Sequence, residues 1–323
     1  MSLARYVLRR GVFALVLVVV VSSVAALLTL AAPGDFLAED FGMDPAVLEA
    51  RRDALGLNDP HSVQYARWFA RAARLDFGES LLYTRPVSQL LGERARNTAI
   101  LASAALLVAT IIGIPLGVYT GTRHRGPAVR AIRVLSILLL STPPLLASLA
   151  LVMLAARTGW LPVGGMLSAT AADASWGFWL RDLLRHLSLP ALALALPLGA
   201  MLERLQSQAM SDAVAEPFVQ AAEARGLSRD RAMLRHGWPV SLGAVLGIYG
   251  LMIGSLFSGS FIVEVVTAWP GLGRLMYDAL RARDLYLVAG CAATGALFLA
   301  LGTLLSDLLL AVADPRARLG SRT

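Results

Sequence analysis

Long apolar runs separated by polar stretches dominate this chain. Six are long enough to cross a hydrocarbon core about 30 Å thick, for which about 20 residues are needed. They cover residues 11–32, 98–121, 134–156, 187–205, 240–263 and 285–312. Pro143 and Pro144 lie near the middle of the third run; Pro190 and Pro197 interrupt the fourth, whose end also takes in Glu203 and Arg204. Proline donates no backbone hydrogen bond and crowds the preceding turn, so the third run is expected to kink, either as a gate or as a static bend. Membrane helices accommodate such breaks when neighbours satisfy the freed backbone groups. The pattern predicts an all-α membrane protein with six transmembrane helices. Its parts are a tail and first span over 1–32, a polar insertion over 33–96, a membrane core over 97–312 and a tail over 313–323.

Two polar stretches have structure of their own. The insertion carries helical patterns near 45–55 and 62–75. The second stretch is a loop over 212–239, which from Glu216 to Pro239 reads EPFVQAAEARGLSRDRAMLRHGWP. Pro217 suits the first turn of a helix, and nothing from Phe218 to Arg225 breaks it. Gly226 supplies a left-handed stop, Leu227 the apolar residue after it, and Ser228 the cap of a second helix. A short helix, a sharp turn and another helix are therefore displayed between membrane spans. An alanine-rich helix with a glycine stop is common in alanine- and arginine-rich chains; its place in a long polar loop late in a multi-span chain gives it weight.

Composition narrows the function. With 57% hydrophobic residues and a mean hydropathy of +0.64 over 323 residues, the chain is too apolar for an ordinary soluble domain. All 29 basic residues are arginine, and there is no lysine. A phosphate-binding loop of the Walker type needs a lysine, so any ATP-driven motor must be a separate polypeptide. Placing the amino terminus inside puts Arg5, Arg9, Arg10, Arg123, Arg125, Arg130, Arg133 and the arginines of 225–235 in short inner segments, which the positive-inside rule favours. Both termini are then cytoplasmic and 33–96 lies outside. That orientation accounts for the net charge of +7 without a nucleic-acid partner. The first apolar run is longer than the 7–15 residues of a signal-peptide core and reads as an uncleaved anchor. Cys291 is the single cysteine, and His61, His124, His186 and His236 are scattered without a catalytic or metal-binding spacing. No catalytic, cofactor-binding or metal-binding residue is assigned.

The order of landmarks resembles a known family. Pro33-Gly34-Asp35 follows the first span; then come Leu55-Gly56-Leu57, Pro60, Gln64-Tyr65, Asp76-Phe77-Gly78-Glu79-Ser80, Arg85-Pro86-Val87, Leu189-Pro190, the 216–239 loop, Trp269-Pro270-Gly271-Leu272-Gly273, Arg283-Asp284 and Asp314-Pro315-Arg316. This is similar to the B-type permease subunit of dipeptide and oligopeptide ABC importers. In the loop, Ala221, Ala222, Gly226 and Pro239 hold the places of that family's EAA motif. The resemblance implies a type I ABC importer permease fold with an extracytoplasmic insertion, in a bacterial inner membrane. It implies a pathway shared with a homologous second permease subunit, two cytoplasmic ATPase subunits or domains carrying ATP and Mg, and an extracytoplasmic solute-binding protein. The loop would be the coupling helix, with Glu216, Gln220, Ala221, Ala222, Glu223, Arg225, Gly226 and Leu227 at the ATPase. The solute expected is a di- or oligopeptide; relatives of the same architecture carry nickel, opines, sugars or glutathione. Two departures stand out. Gln220 replaces the motif's glutamate, and His236-Gly237-Trp238-Pro239 replaces the usual run after the second helix, which is therefore expected to end early.

The fifth run holds Gly243, Gly247, Gly250 and Gly254 at i, i+4, i+7 and i+11, which a continuous helix would place on one face. Such a face serves static packing or sliding between helices. Ser255, Ser258 and Ser260 continue the run as candidates for a polar pathway, although serine often bonds its own helix backbone. Glu264 and the turn Trp269, Pro270, Gly271 and Gly273 would form an outer mouth, with Glu264 close enough to the interface to be solvated. A self-contained secondary transporter is the competing class, but it would normally show ionisable groups at mid-membrane or inverted repeats. Asp307, toward the inner end of the sixth run, is one of few candidates.

Overall fold

The computed structural model describes residues 3–34, 36, 37, 44–74, 76–123, 125–171 and 175–313. It is built from helices: α1 (Leu3–Ala31), α2 (Pro45–Leu55), α3 (His61–Ala72), α4 (Val87–Thr122), α5 (Pro127–Ser141), α6 (Pro144–Thr158), α7 (Trp176–Val214), α8 (Pro217–Ala224), α9 (Arg229–Ala232), α10 (Trp238–Leu246), α11 (Tyr249–Val266), α12 (Leu272–Ala282) and α13 (Leu285–Ala313). Among the described residues, five helices are long and apolar enough to span a bilayer, and α5 with α6 makes a sixth if the bent pair is one span. The kink expected at Pro143 and Pro144 is a break between two helices bent by 107°. Pro143 denies the helix a donor and forces Thr142 into extended backbone (φ −91, ψ 115), while Pro144 sits at the first position of the next helix. The fourth run behaves oppositely. α7 passes through Pro190 and Pro197 unbroken over 39 residues. The fifth run is divided at Gly247 and Ile248, between α10 and α11.

The chain forms two compact units, one comprising 1–3, 99–269 and 301–323, the other 4–98 and 270–300. In the first, α7 is the central helix, buried along much of its length and packed against α5, α6, α10 and α11. Leu101, Ala105, Ala109, Leu194, Leu202, Met252 and Trp269 belong to its core. α4 lies directly on α7 along a ridge of glycines four residues apart. A β-carbon on Gly113, Gly117 or Gly121 would come within 2.6, 2.6 or 2.5 Å of α7 atoms, so only a bare backbone fits at these three positions.

The second unit contains the polar insertion. The helices expected near 45–55 and 62–75 are α2 and α3. Asp44 caps α2, its Oδ1 accepting the Ala46 amide at 2.9 Å, and Gly56 ends it in left-handed backbone (φ 67). Trp68 on α3 is buried against Ala26, Leu285 and Ala289. Asp284 organises the landmarks read from the sequence. Fully buried, it accepts from Ser80 Oγ at 2.7 Å, from the Leu82 amide at 3.1 Å, and from the Leu287 amide at 3.2 Å, which caps α13. Asn97 donates to the Pro270 carbonyl at 2.8 Å, and Thr98 accepts the Leu272 amide at 2.8 Å. The ion pair with Arg71 at 2.9 Å, with help from the Gly78 amide, holds the Asp76 carboxyl below its usual range. Among the described residues there is no strand, only an isolated antiparallel bridge between Glu79 and Pro86.

Candidate functional site

The loop after α7 folds as a helix, a turn and a helix, with Pro217 at the start of α8 and Glu216 at its cap position. Gln220 Nε2 donates back to the Ala215 carbonyl at 3.2 Å, so the glutamine fastens the loop entrance. At the other end the Leu227 amide bonds the Ala222 carbonyl at 3.2 Å and the Gly226 amide bonds that of Glu223 at 2.9 Å. This is the Schellman arrangement, and Gly226 at φ +94 permits it. Leu227 packs onto Val219, Ala222 and Ala232, the apolar contact that accompanies the motif. Ser228 stands at the cap position of α9 but makes no side-chain capping bond.

The two alanines of the pattern have opposite roles. Ala222 is 1% exposed and joins α8 to α9, whereas Ala221 points outward. Phe218, Ala221, Ala224 and Arg225 form one exposed face, with Arg225 Nε bonded to the Ala221 carbonyl at 3.2 Å; Glu223 is half-buried. The face is small at its middle and carries an aromatic ring at one end and a cation at the other.

The second helix does not end early, which corrects the expectation drawn from Pro239. α9 passes through a π-helical turn, Met233–Gly237, into α10. The Trp238 amide bonds the Met233 carbonyl five residues back. That wider turn makes room for the ring of Pro239, which would otherwise press on the preceding turn. The chain thus enters α10 without a loop.

The other expected site residues fare differently. Gly243 lies on α10, Gly250 and Gly254 on α11, and Gly247 at the two-residue turn between them. A β-carbon on Gly243 would meet nothing within 4 Å. Close approach to α11 comes instead from Gly302 on α13, whose β-carbon would lie 2.7 Å from Ile253. Ser255 donates to the Met252 carbonyl at 2.8 Å, bonding its own helix; the side chain of Ser258 lies outside the described residues. Glu264 is fully buried rather than solvated, as is Trp269. Pro270 leads into α12, with Gly271 at its cap and Gly273 in its first turn. Asp307's side chain and residues 314–323 lie outside the described residues.

A buried polar layer escaped the sequence reading. Glu203, 1% exposed, accepts from Thr120 on α4 at 2.5 Å and from Ser136 on α5 at 2.7 Å. Gln206, one turn on, donates to Ser241 on α10 at 2.8 Å. The available signal was Glu203 itself: an acid inside a long apolar helix requires partners. Among the described residues no group of three or more His, Cys, Asp or Glu side chains is placed to hold a metal ion.

Residues 113–319 match the family described as binding-protein-dependent transport system inner membrane component, and residues 3–86 match the N-terminal region of such membrane components. The chain is 33% identical over 320 residues to "Oligopeptide transport system permease protein AppB" of Bacillus subtilis, covering 97% of this chain and 99% of that protein. It is 33% identical over 325 residues to "Oligopeptide transport system permease protein OppB" of Mycobacterium tuberculosis, covering 98% and 99%. A "Putative peptide permease protein" of Brucella ovis is 31% identical over 320 residues, covering 97% and 99%. With the apolar spans and the helix-turn-helix loop, these matches leave one conclusion: the chain belongs to the family of binding-protein-dependent transport system inner membrane components.

Proposed function

We propose that this permease subunit forms half of the membrane pathway of an ATP-driven importer of short peptides, with the 216–239 loop as the contact for the ATPase. The observation that carries the reading is the exposed face of Phe218, Ala221, Ala224 and Arg225 on a short helix locked at both ends. A rigid helix with small residues outward can seat in a groove and pass force to the membrane helices flanking it. The peptide assignment rests on the names of the relatives; nickel, opines, sugars or glutathione would use the same architecture. The chain carries no lysine for a phosphate loop, so ATP and Mg belong on two partner ATPase subunits or domains. A homologous second permease completes the pathway, and an extracytoplasmic binding protein delivers the solute. The arginine distribution supports cytoplasmic termini, a cytoplasmic coupling loop and an external 33–96 insertion in a bacterial inner membrane. ATP then drives transport by binding one arrangement of the assembly better than another.

The test is site-specific cross-linking in the complex purified with its ATPase. A photoreactive residue at exposed Ala221 is expected to capture the ATPase subunit, while one at Arg51, on the exposed face of α2, captures none. No cross-link from Ala221, Phe218 or Arg225 would remove the loop from the motor interface.

A further inference from the structure

Glu203 sits in an apolar helix assigned to the membrane, where a carboxylate is costly unless it meets partners. Two other helices supply them. Thr120 Oγ1 on α4 donates to one carboxylate oxygen at 2.5 Å, and Ser136 Oγ on α5 donates to the other at 2.7 Å. Both donors are buried as well. Arg133, one turn before Ser136, donates to the Thr120 carbonyl at 3.3 Å and closes the link between α4 and α5. Further along α7, Gln206 ties that helix to Ser241 on α10 at 2.8 Å. α7 and α10 are the two helices on either side of the coupling loop. The loop's two legs are therefore bonded to each other, and its α7 leg is bonded to α4 and α5.

We propose that Glu203 is a positioning residue for transport: it clamps α4 and α5 to α7, so that all three helices follow when the coupling loop is displaced. The clamp rests on the reading that this loop receives the work of ATP hydrolysis. Its physical basis is the absence of a substitute. Glu203, Thr120 and Ser136 are themselves buried, although the cavity beside them is also lined by Arg133 and Arg204. A broken bond between them therefore exposes a buried carboxylate before any replacement partner reaches it, and displacement passes through the bond. The glycine ridge alone would not do this. Gly113, Gly117 and Gly121 bring α4 against α7, but a bare van der Waals contact has no directional bond to resist sliding. The hydroxyls of Thr120 and Ser136 are short, so the freedom left in the link is that of the Glu203 side chain, which burial and a bond at each carboxylate oxygen restrain.

The experiment uses the complete transporter in vesicles with its binding protein and a radiolabelled mixture of short peptides. The quantity read is peptide accumulated per ATP hydrolysed. Glu203→Leu is expected to assemble and hydrolyse ATP while that ratio falls about tenfold, since two buried hydrogen bonds are lost. Thr120→Val combined with Ser136→Ala should lower the ratio in the same way. Glu203→Gln keeps the shape and can pair with rotated hydroxyls, so its ratio should stay within about twofold of wild type. A purely structural role would lower uptake and hydrolysis together and leave the ratio intact. If Glu203→Leu fails to assemble, the hydroxyl pair decides by the same ratio. An unchanged ratio in the hydroxyl pair, with wild type showing ATP-driven uptake, overturns the clamp alone. Peptide accumulation without ATP by wild type refutes the transport reading, and the clamp with it.

Discussion

Gly226 is the residue on which the shape of the 216–239 loop turns. Its φ of +94 lets the amides of Gly226 and Leu227 turn back onto the last carbonyls of α8, and Leu227 then lands on the small core of Val219, Ala222 and Ala232. A β-carbon there would meet nothing within 4 Å, so the cost of substitution is in the backbone and not in packing. Valine should strain the turn by about 1–2 kcal/mol and misdirect α8, while asparagine should be milder. Gly226→Val is expected to insert into the membrane at wild-type level yet lose solute uptake, read beside the amount of ATPase that copurifies. Wild-type uptake in that variant would show that the direction of α8 does not matter to transport.

At the scale of helices, the glycines that matter are not those the sequence made conspicuous. The series in the fifth span is split between α10 and α11 by a turn at Gly247 and Ile248, and a β-carbon on Gly243 would meet nothing within 4 Å. The ridge of Gly113, Gly117 and Gly121 has the same four-residue spacing and does meet a partner helix. Spacing alone does not say which glycines another backbone approaches. Gly117→Ala should force α4 from α7 and cost about 1–3 kcal/mol, whereas Gly243→Ala should be near neutral, in thermal unfolding of the detergent-solubilised protein. Equal effects at the two positions would contradict the packing described for α4. What local rules govern was legible in advance: the stop at Gly226, the start at Pro217, and the helices of the insertion. What depends on distant partners was not. The burial of Glu264, the bonds to Glu203 and the π-turn that admits Pro239 are set by elements far away in sequence or by a choice between two helical windings.

For the whole molecule, orientation and energy source define the account. Orientation can be read with thiols, because Cys291 is the single native cysteine and is buried. In a Cys291→Ser background, cysteines placed singly at exposed Ser62 and Ser228 should differ: an impermeant reagent applied outside intact cells labels the first and spares the second. The reverse pattern would turn the permease over and remove the loop from the cytoplasmic ATPase. The energy source is the more direct test of the central claim. Vesicles containing this chain, its partner permease, the ATPase subunits and the binding protein should accumulate labelled peptide only when ATP is supplied on the ATPase side. Omitting the ATPase should abolish accumulation. Accumulation by this chain alone, driven by an ion gradient and indifferent to ATP, would contradict the account and make the protein a self-contained transporter.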